Sequence, residues 1–157
     1  MEPNDGVAVV HNQLHPGDFL ASFQTRGDMP PQRRVVLVVE DEPIILIALA
    51  AHLDDKGFAV REAHCAADAI AILEEPGCPI DLVFSDVRMP GEMDGFGLSR
   101  WIFENHPNVP VILASGNLGQ ITALENLCGA EALHKPYTFD TATDRIKSAL
   151  GRCGSRN

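Results

Sequence analysis

Residues Val35-Val36-Leu37-Val38-Val39 form an unbroken aliphatic run rich in β-branched side chains. This run constrains the fold more than any other feature of the chain. A strand with one wet face alternates apolar and polar residues, whereas five apolar residues in succession require cover on both faces. Pro43 follows closely and suits the first turn of a helix, where its missing N–H costs nothing. Gly57 suits the end of that helix as a C-terminal cap, so a helix is predicted over 44–56.

The alternation then repeats. A strand is predicted over 58–62, then a helix with Ala66, Ala69, Ile70 and Leu73 at helical spacing, broken by Pro76-Gly77. Strands over 80–85, 111–114 and 130–134 are separated by helices over 96–104 and 118–127. A last helix carries Phe139, Ala142, Ile146, Ala149 and Leu150 on one face. Five strands alternating with five helices imply right-handed βαβ crossovers and a parallel sheet covered on both sides, an α/β doubly wound fold. The 157 residues, 45% of them hydrophobic, suffice for one such domain. Residues 1–32 lack a sustained period, end in Gly27-Asp28-Met29-Pro30-Pro31-Gln32, and read as a flexible N-terminal extension. The domain is then 33–151, with a short disordered tail over 152–157.

The formal net charge is −10 and no basic run occurs, which tells against direct nucleic-acid binding, because phosphate contacts need concentrated Lys and Arg. No apolar stretch reaches the roughly 20 residues that span a bilayer. The segment from Met1 to Gly17 has neither a basic nor an apolar signal region. Cys65, Cys78, Cys128 and Cys153 form no CxxC pair, so reduced thiols in a cytoplasmic protein are expected.

In an open parallel sheet, ligands bind beyond the carboxyl ends of the strands. Those ends here carry Glu40-Asp41-Glu42, Ser85-Asp86, Ser115-Gly116 and Lys135-Pro136. Singly each has an ordinary explanation: a solvated helix start, a capping serine, a surface turn. Together they bring acids, a hydroxyl and an ammonium to one rim. Clustered carboxylates repel unless a cation offsets them, and magnesium, which prefers oxygen ligands and sits beside phosphates, is the expected ion. Asp41 and Asp86 would bind it directly, and Glu40 directly or through water. Lys135 offers a point charge and Ser115 a donor for phosphoryl oxygens. This is equipment for phosphoryl transfer, in which a carboxylate can itself be the nucleophile.

The strings Val38-Val39-Glu40-Asp41-Glu42-Pro43, Asp81-Leu82-Val83-Phe84-Ser85-Asp86-Val87-Arg88-Met89-Pro90-Gly91, Met93-Asp94-Gly95, Val111-Ile112-Leu113-Ala114-Ser115-Gly116 and Leu133-His134-Lys135-Pro136-Tyr137 together resemble the receiver domain of bacterial two-component response regulators, over about residues 34–150. The resemblance implies a flavodoxin-like (βα)5 sandwich with strand order 2-1-3-4-5. It implies that Asp86 accepts a phosphoryl group from a histidine kinase or phosphotransfer protein, and that Ser115 and Lys135 bind that group. Glu40, Asp41 and Asp86, with the backbone carbonyl of Arg88, would hold Mg2+. A cis bond is expected at Lys135–Pro136. Such a protein assists its own phosphorylation but is not otherwise an enzyme, and it acts by changing its contacts with a downstream protein. The resemblance leaves a homodimer open.

Three features depart from the family pattern. The loop Gly91-Glu92-Met93-Asp94-Gly95 is one residue longer than is common. Ala132 stands where an aromatic switch residue is usual, three positions before the lysine, while Tyr137 reads as a packing residue. No output domain follows Leu150, so a stand-alone receiver is expected, signalling by protein contact. Two other readings compete: a receiver-like module that binds partners without phosphorylation, favoured only by Ala132, and a small-molecule phosphatase with an aspartate nucleophile. An Asp-x-Asp nucleophile pair at a strand end, which would mark a haloacid-dehalogenase-like phosphatase, is absent. His52, His64 and His106 fall on helices or helix ends and are expected to be exposed.

Overall fold

Five strands, β1 (Val35–Val39), β2 (Ala59–Ala63), β3 (Leu82–Asp86), β4 (Val111–Ser115) and β5 (Glu131–His134), build one sheet. All pair in parallel, in the order β2-β1-β3-β4-β5. This computed structural model describes residues 32–77, 79–117, 119 and 130–153. The extension read over 1–32 therefore lies outside the described residues apart from Gln32, as do almost all of the helix read over 118–127 and the tail from 154. The helices described are α1 (Pro43–Asp55), α2 (Ala66–Leu73), α3 (Gly95–Asn105) and α4 (Phe139–Cys153).

The pleat sends successive side chains to opposite faces, which is why the strands needed apolar residues without interruption. Leu37, Val39, Val83, Val111 and Leu113 point to one face and are closed over by Ala66 and Ala69 of α2 and Leu98 and Ile102 of α3. Val36, Val38, Leu82, Phe84 and Ile112 point to the other, under Leu46, Leu49 and Leu53 of α1 and Ala142 and Ile146 of α4. Each fully buried leucine contributes about 1.5–3 kcal/mol by leaving water. The first turn of α1 is not wholly used in this way, since Ile44 is 83% and Ile47 62% exposed.

Helix and strand ends follow local hydrogen bonding. Pro43 begins α1 as predicted, and Gly57 lies just beyond its end with φ 95°, in the region that favours glycine. The Arg33 guanidinium caps the same end, donating to the carbonyls of Asp54, Gly57 and Phe58. α3 starts at Gly95, where the Asp94 carboxylate accepts the N–H of Gly97 at 2.9 Å.

Strand β3 starts at Leu82, two residues later than the apolar pattern suggests. Asp81 is instead an anchor, its carboxylate accepting the Val35 N–H at 2.7 Å and pairing with Arg34 at 2.7 Å. The expected exposure of the helical histidines holds only for His64. His52 is half-buried, its ring 5.7 Å from Phe139 of α4, and His106 is half-buried 5.4 Å from Trp101. Aromatic neighbours covered faces that helical spacing had placed toward solvent. Among the described residues no helix is long and apolar enough to cross a membrane.

Candidate functional site

The strand order puts β1 between β2 and β3. The chain leaves β1 toward β2 on one side and returns to β3 on the other, so the loops after β1 and β3 diverge and leave a crevice. Val39 lies in register with Ser85, so Glu40 and Asp41 come off the sheet directly beside Asp86. Carboxylate oxygens of Glu40, Asp41 and Asp86 all lie within 4.8 Å of one another. This is the rim expected from the sequence.

Lys135 comes from two strands away. Its backbone N–H donates to the Ser115 carbonyl at 2.8 Å, which fixes it at the end of β5. Strands β3 and β5 are two strand spacings apart, about 10 Å, so only a long side chain can cross over β4. The ammonium does so, reaching 2.7 Å from Asp86 Oδ2 and 3.8 Å from Glu40 Oε2. The Lys135–Pro136 bond is cis, as the resemblance implied. Asp86 Oδ1 accepts the Arg88 backbone N–H at 3.2 Å, so the main chain of Arg88 also lies at this carboxylate. The Arg88 side chain is exposed.

Ser115 ends β4, one residue past Ala114, which is in register with Asp86. It is buried, and its Oγ accepts the Asn117 N–H at 3.1 Å, the capping role that a serine after a strand ordinarily takes. Gly95 packs beneath the site and donates its N–H to the Val87 carbonyl at 2.9 Å. A Cβ at this position would come 2.2 Å from the backbone oxygen of Asp86, so no other residue fits without moving the acceptor. A cleft of about 490 Å³ opens beside these groups, lined by Asp41, Arg88, Met89, Pro90, Asp94 and Phe96.

Electrostatically the rim is under-compensated. Glu40 is only 3% exposed. Burial is the chief cause that pushes its carboxyl up to about 7; the Lys135 ammonium pulls it down, and Asp86 and Asp41 push it up again. One ammonium does not offset three carboxylates. The donors are hard oxygens set close enough to share one ion, and such a set suits magnesium.

Tyr137 is the packing residue that the sequence suggests, set against the core cluster. Its ring is edge-on to Phe84, with centroids 5.8 Å apart. Burial raises its phenol well above the usual range, and the charges of Glu40 and Asp86 add to that rise. Phe84 lies two residues before Asp86, and Tyr137 two after Lys135.

This geometry is matched by known proteins. Residues 36–147 fit the family model described as the response regulator receiver domain. Over 117 residues, 73% of this chain, it is 35% identical to the sensor kinase CckA of Brucella abortus, of which it covers 12%. Over 122 residues, 74% of this chain, it is 36% identical to the transcriptional regulatory protein AruR of Pseudomonas aeruginosa, of which it covers 49%. The chain thus spans no more than about half the length of either curated relative. Among solved structures, a response regulator receiver protein from Sinorhizobium medicae superimposes with a TM-score of 0.70 at 29% identity, covering 78% of this chain and 98% of that one. With the sheet order, the acidic triad and the lysine in place, the chain belongs to the response-regulator receiver domain family.

Proposed function

We propose that this protein is a phosphorylation-dependent switch in two-component signalling, accepting a phosphoryl group on Asp86 from a histidine kinase or phosphotransfer protein. The observation that carries the reading is the convergence of Glu40, Asp41 and Asp86 within 4.8 Å, with the Lys135 ammonium 2.7 Å from Asp86. A relative that is itself named a sensor kinase agrees with a kinase-linked role.

In the transfer, an Asp86 carboxylate oxygen forms a bond to phosphorus while the donor's P–N bond breaks. The imidazole nitrogen leaves with that electron pair. Glu40, Asp41 and Asp86, with the Arg88 carbonyl, would hold Mg2+, which would supply the positive charge that lets phosphoryl oxygens approach these carboxylates. Asp86 is presented at a strand end with its main chain braced against Gly95. Lys135 passes from Asp86 Oδ2 to a phosphoryl oxygen, and the Ser115 hydroxyl donates to another. The protein turns over no separate substrate; it changes its contacts with a downstream protein in the cytoplasm.

Intact-mass spectrometry tests this reading. Incubation with phosphoramidate and Mg2+ adds one phosphate to the wild type and none to Asp86→Asn. Equal addition to the variant overturns Asp86 as the acceptor.

A further inference from the structure

The position from which an aromatic ring usually reports the acceptor holds Ala132, which lies buried within β5 with no ring to move. The described residues nonetheless contain a connected path from Asp86 to the opposite side of the sheet edge. It starts at the Lys135 ammonium on Asp86 Oδ2. Two residues later the half-buried Tyr137 ring rests edge-on against Phe84, at the border of the cluster that α1 and α4 close over. Two residues beyond that, α4 begins at Phe139, whose ring meets His52 of α1 at 5.7 Å. Its neighbour Asp140 lies 3.0 Å from the Lys56 ammonium and 3.4 Å from His52 Nε2.

We propose that Tyr137 is the positioning residue through which a change at Asp86 reaches the contact between α1 and α4. This rests on the reading of Asp86 as a phosphoacceptor. When Asp86 becomes an acyl phosphate, its oxygen can no longer hold the ammonium as a free carboxylate does, and Lys135 turns to the new phosphoryl oxygens. Pro136 has a ring-fixed φ, so little of that movement is absorbed before Tyr137. The Tyr137 ring is wedged on Phe84, and Phe84 shares a strand with Asp86, so both ends of the aromatic pair are tied to the acceptor. A shift of Tyr137 therefore moves the start of α4 against His52 and Lys56. The phenol also feels the charges of Glu40 and Asp86 directly, which places it within electrostatic reach of the event it reports.

Tyr137 is the single tyrosine of the chain, so fluorotyrosine labelling gives one fluorine NMR resonance. Phosphoramidate with Mg2+ is expected to move that resonance in step with the added phosphate, and to leave it in place in Asp86→Asn. Hydrogen exchange then tests the coupling. Amides of His52–Lys56 and Phe139–Thr143 are expected to change exchange rate by about fivefold or more on phosphorylation, the low end of ordinary coupling between sites. Tyr137→Phe, which keeps the ring, retains this change. Tyr137→Leu, which keeps apolar bulk alone, still takes up phosphate by mass but loses the change. Retention of the response in a phosphorylated Tyr137→Leu overturns the proposal, as does a wild-type response confined to β5. Failure of the wild type to take up phosphate overturns instead the acceptor reading beneath it.

Discussion

The two ends of the sheet treat charge in opposite ways. At the amino end two carboxylates each have their own arginine: Asp81 pairs with Arg34 at 2.7 Å and Asp54 with Arg33 at 2.6 Å. Asp81 also accepts a backbone N–H, which stitches the entries of β1 and β3 together. At the carboxyl end three carboxylates lie together and the Lys135 ammonium pairs with two of them, Asp86 and Glu40; the most buried, Glu40, holds its proton to about pH 7. One end is compensated and contributes to stability. The other is left short of positive charge, which costs stability and gives a set of oxygens that suits a cation. Charged groups alone therefore do not mark a functional site; a deficit of partners does.

The comparison can be broken most forcefully with magnesium. A ligand present at 100 times its dissociation constant and bound only by the folded state stabilises by about 2.7 kcal/mol. Denaturant unfolding of the wild type is expected to show a gain of this order with Mg2+. Asp41→Ala and Asp86→Asn are expected to lose most of it, and Asp81→Ala to keep it. A Mg2+ response that survives in Asp41→Ala would remove that residue from the site.

At the amino end, Asp81→Ala leaves Arg34 without its partner and the Val35 N–H without its acceptor. Hydrogen bonds to charged groups contribute about 1.5–3 kcal/mol each, net of exchange with water, and the Arg34 side chain is 57% exposed; a loss of about 2 kcal/mol is expected, equal with and without Mg2+. A loss that disappears on adding Mg2+ would mean that the two ends are not separate.

Glu40 gives the pH dependence. Folded, it keeps its proton to about pH 7, against 4.5 for an ordinary glutamate. Between those values the folded state binds more protons than the unfolded one, so metal-free stability falls as pH rises from about 4.5 to 7 and is level above. A decline of about 3 kcal/mol is expected, and Glu40→Gln should abolish it and be the more stable protein at pH 8 without metal. A flat profile in the wild type would contradict the deficit. The smallest effect belongs to an exposed pair one turn apart on α3, Arg100 and Glu104. Arg100→Ala is expected to change stability by at most about 0.5 kcal/mol in the same unfolding assay.

Much of this was legible before the structure. The β-branched runs marked the strands, Pro43 and Gly57 the ends of α1, and the residues after each strand the site. What periodicity does not carry is lateral order. Nothing in the spacing of Lys135 says that its strand lies two places from β3, or that its side chain crosses β4; the family resemblance supplied that. Asp81 was absorbed into a predicted strand because its neighbours Ile80 and Leu82 are apolar, while its partners Arg34 and Val35 lie 46 or more residues away. His52 looked solvent-facing by helical spacing, because Phe139 reaches it from another helix. Tyr137 looked like packing, and it is packed; its nearness to Asp86 depends on Phe84, a contact that no local pattern encodes.

The central claim is that Asp86 becomes an acyl phosphate at the cation-seeking end of the sheet. Borohydride trapping tests it most directly, since the hydride reduces an aspartyl phosphate to homoserine and marks the acceptor covalently. After treatment with phosphoramidate and Mg2+, peptide mass spectrometry should find homoserine at position 86 and at no other aspartate. Homoserine at Asp41 or Asp94, or a phosphate that resists borohydride, would contradict the account.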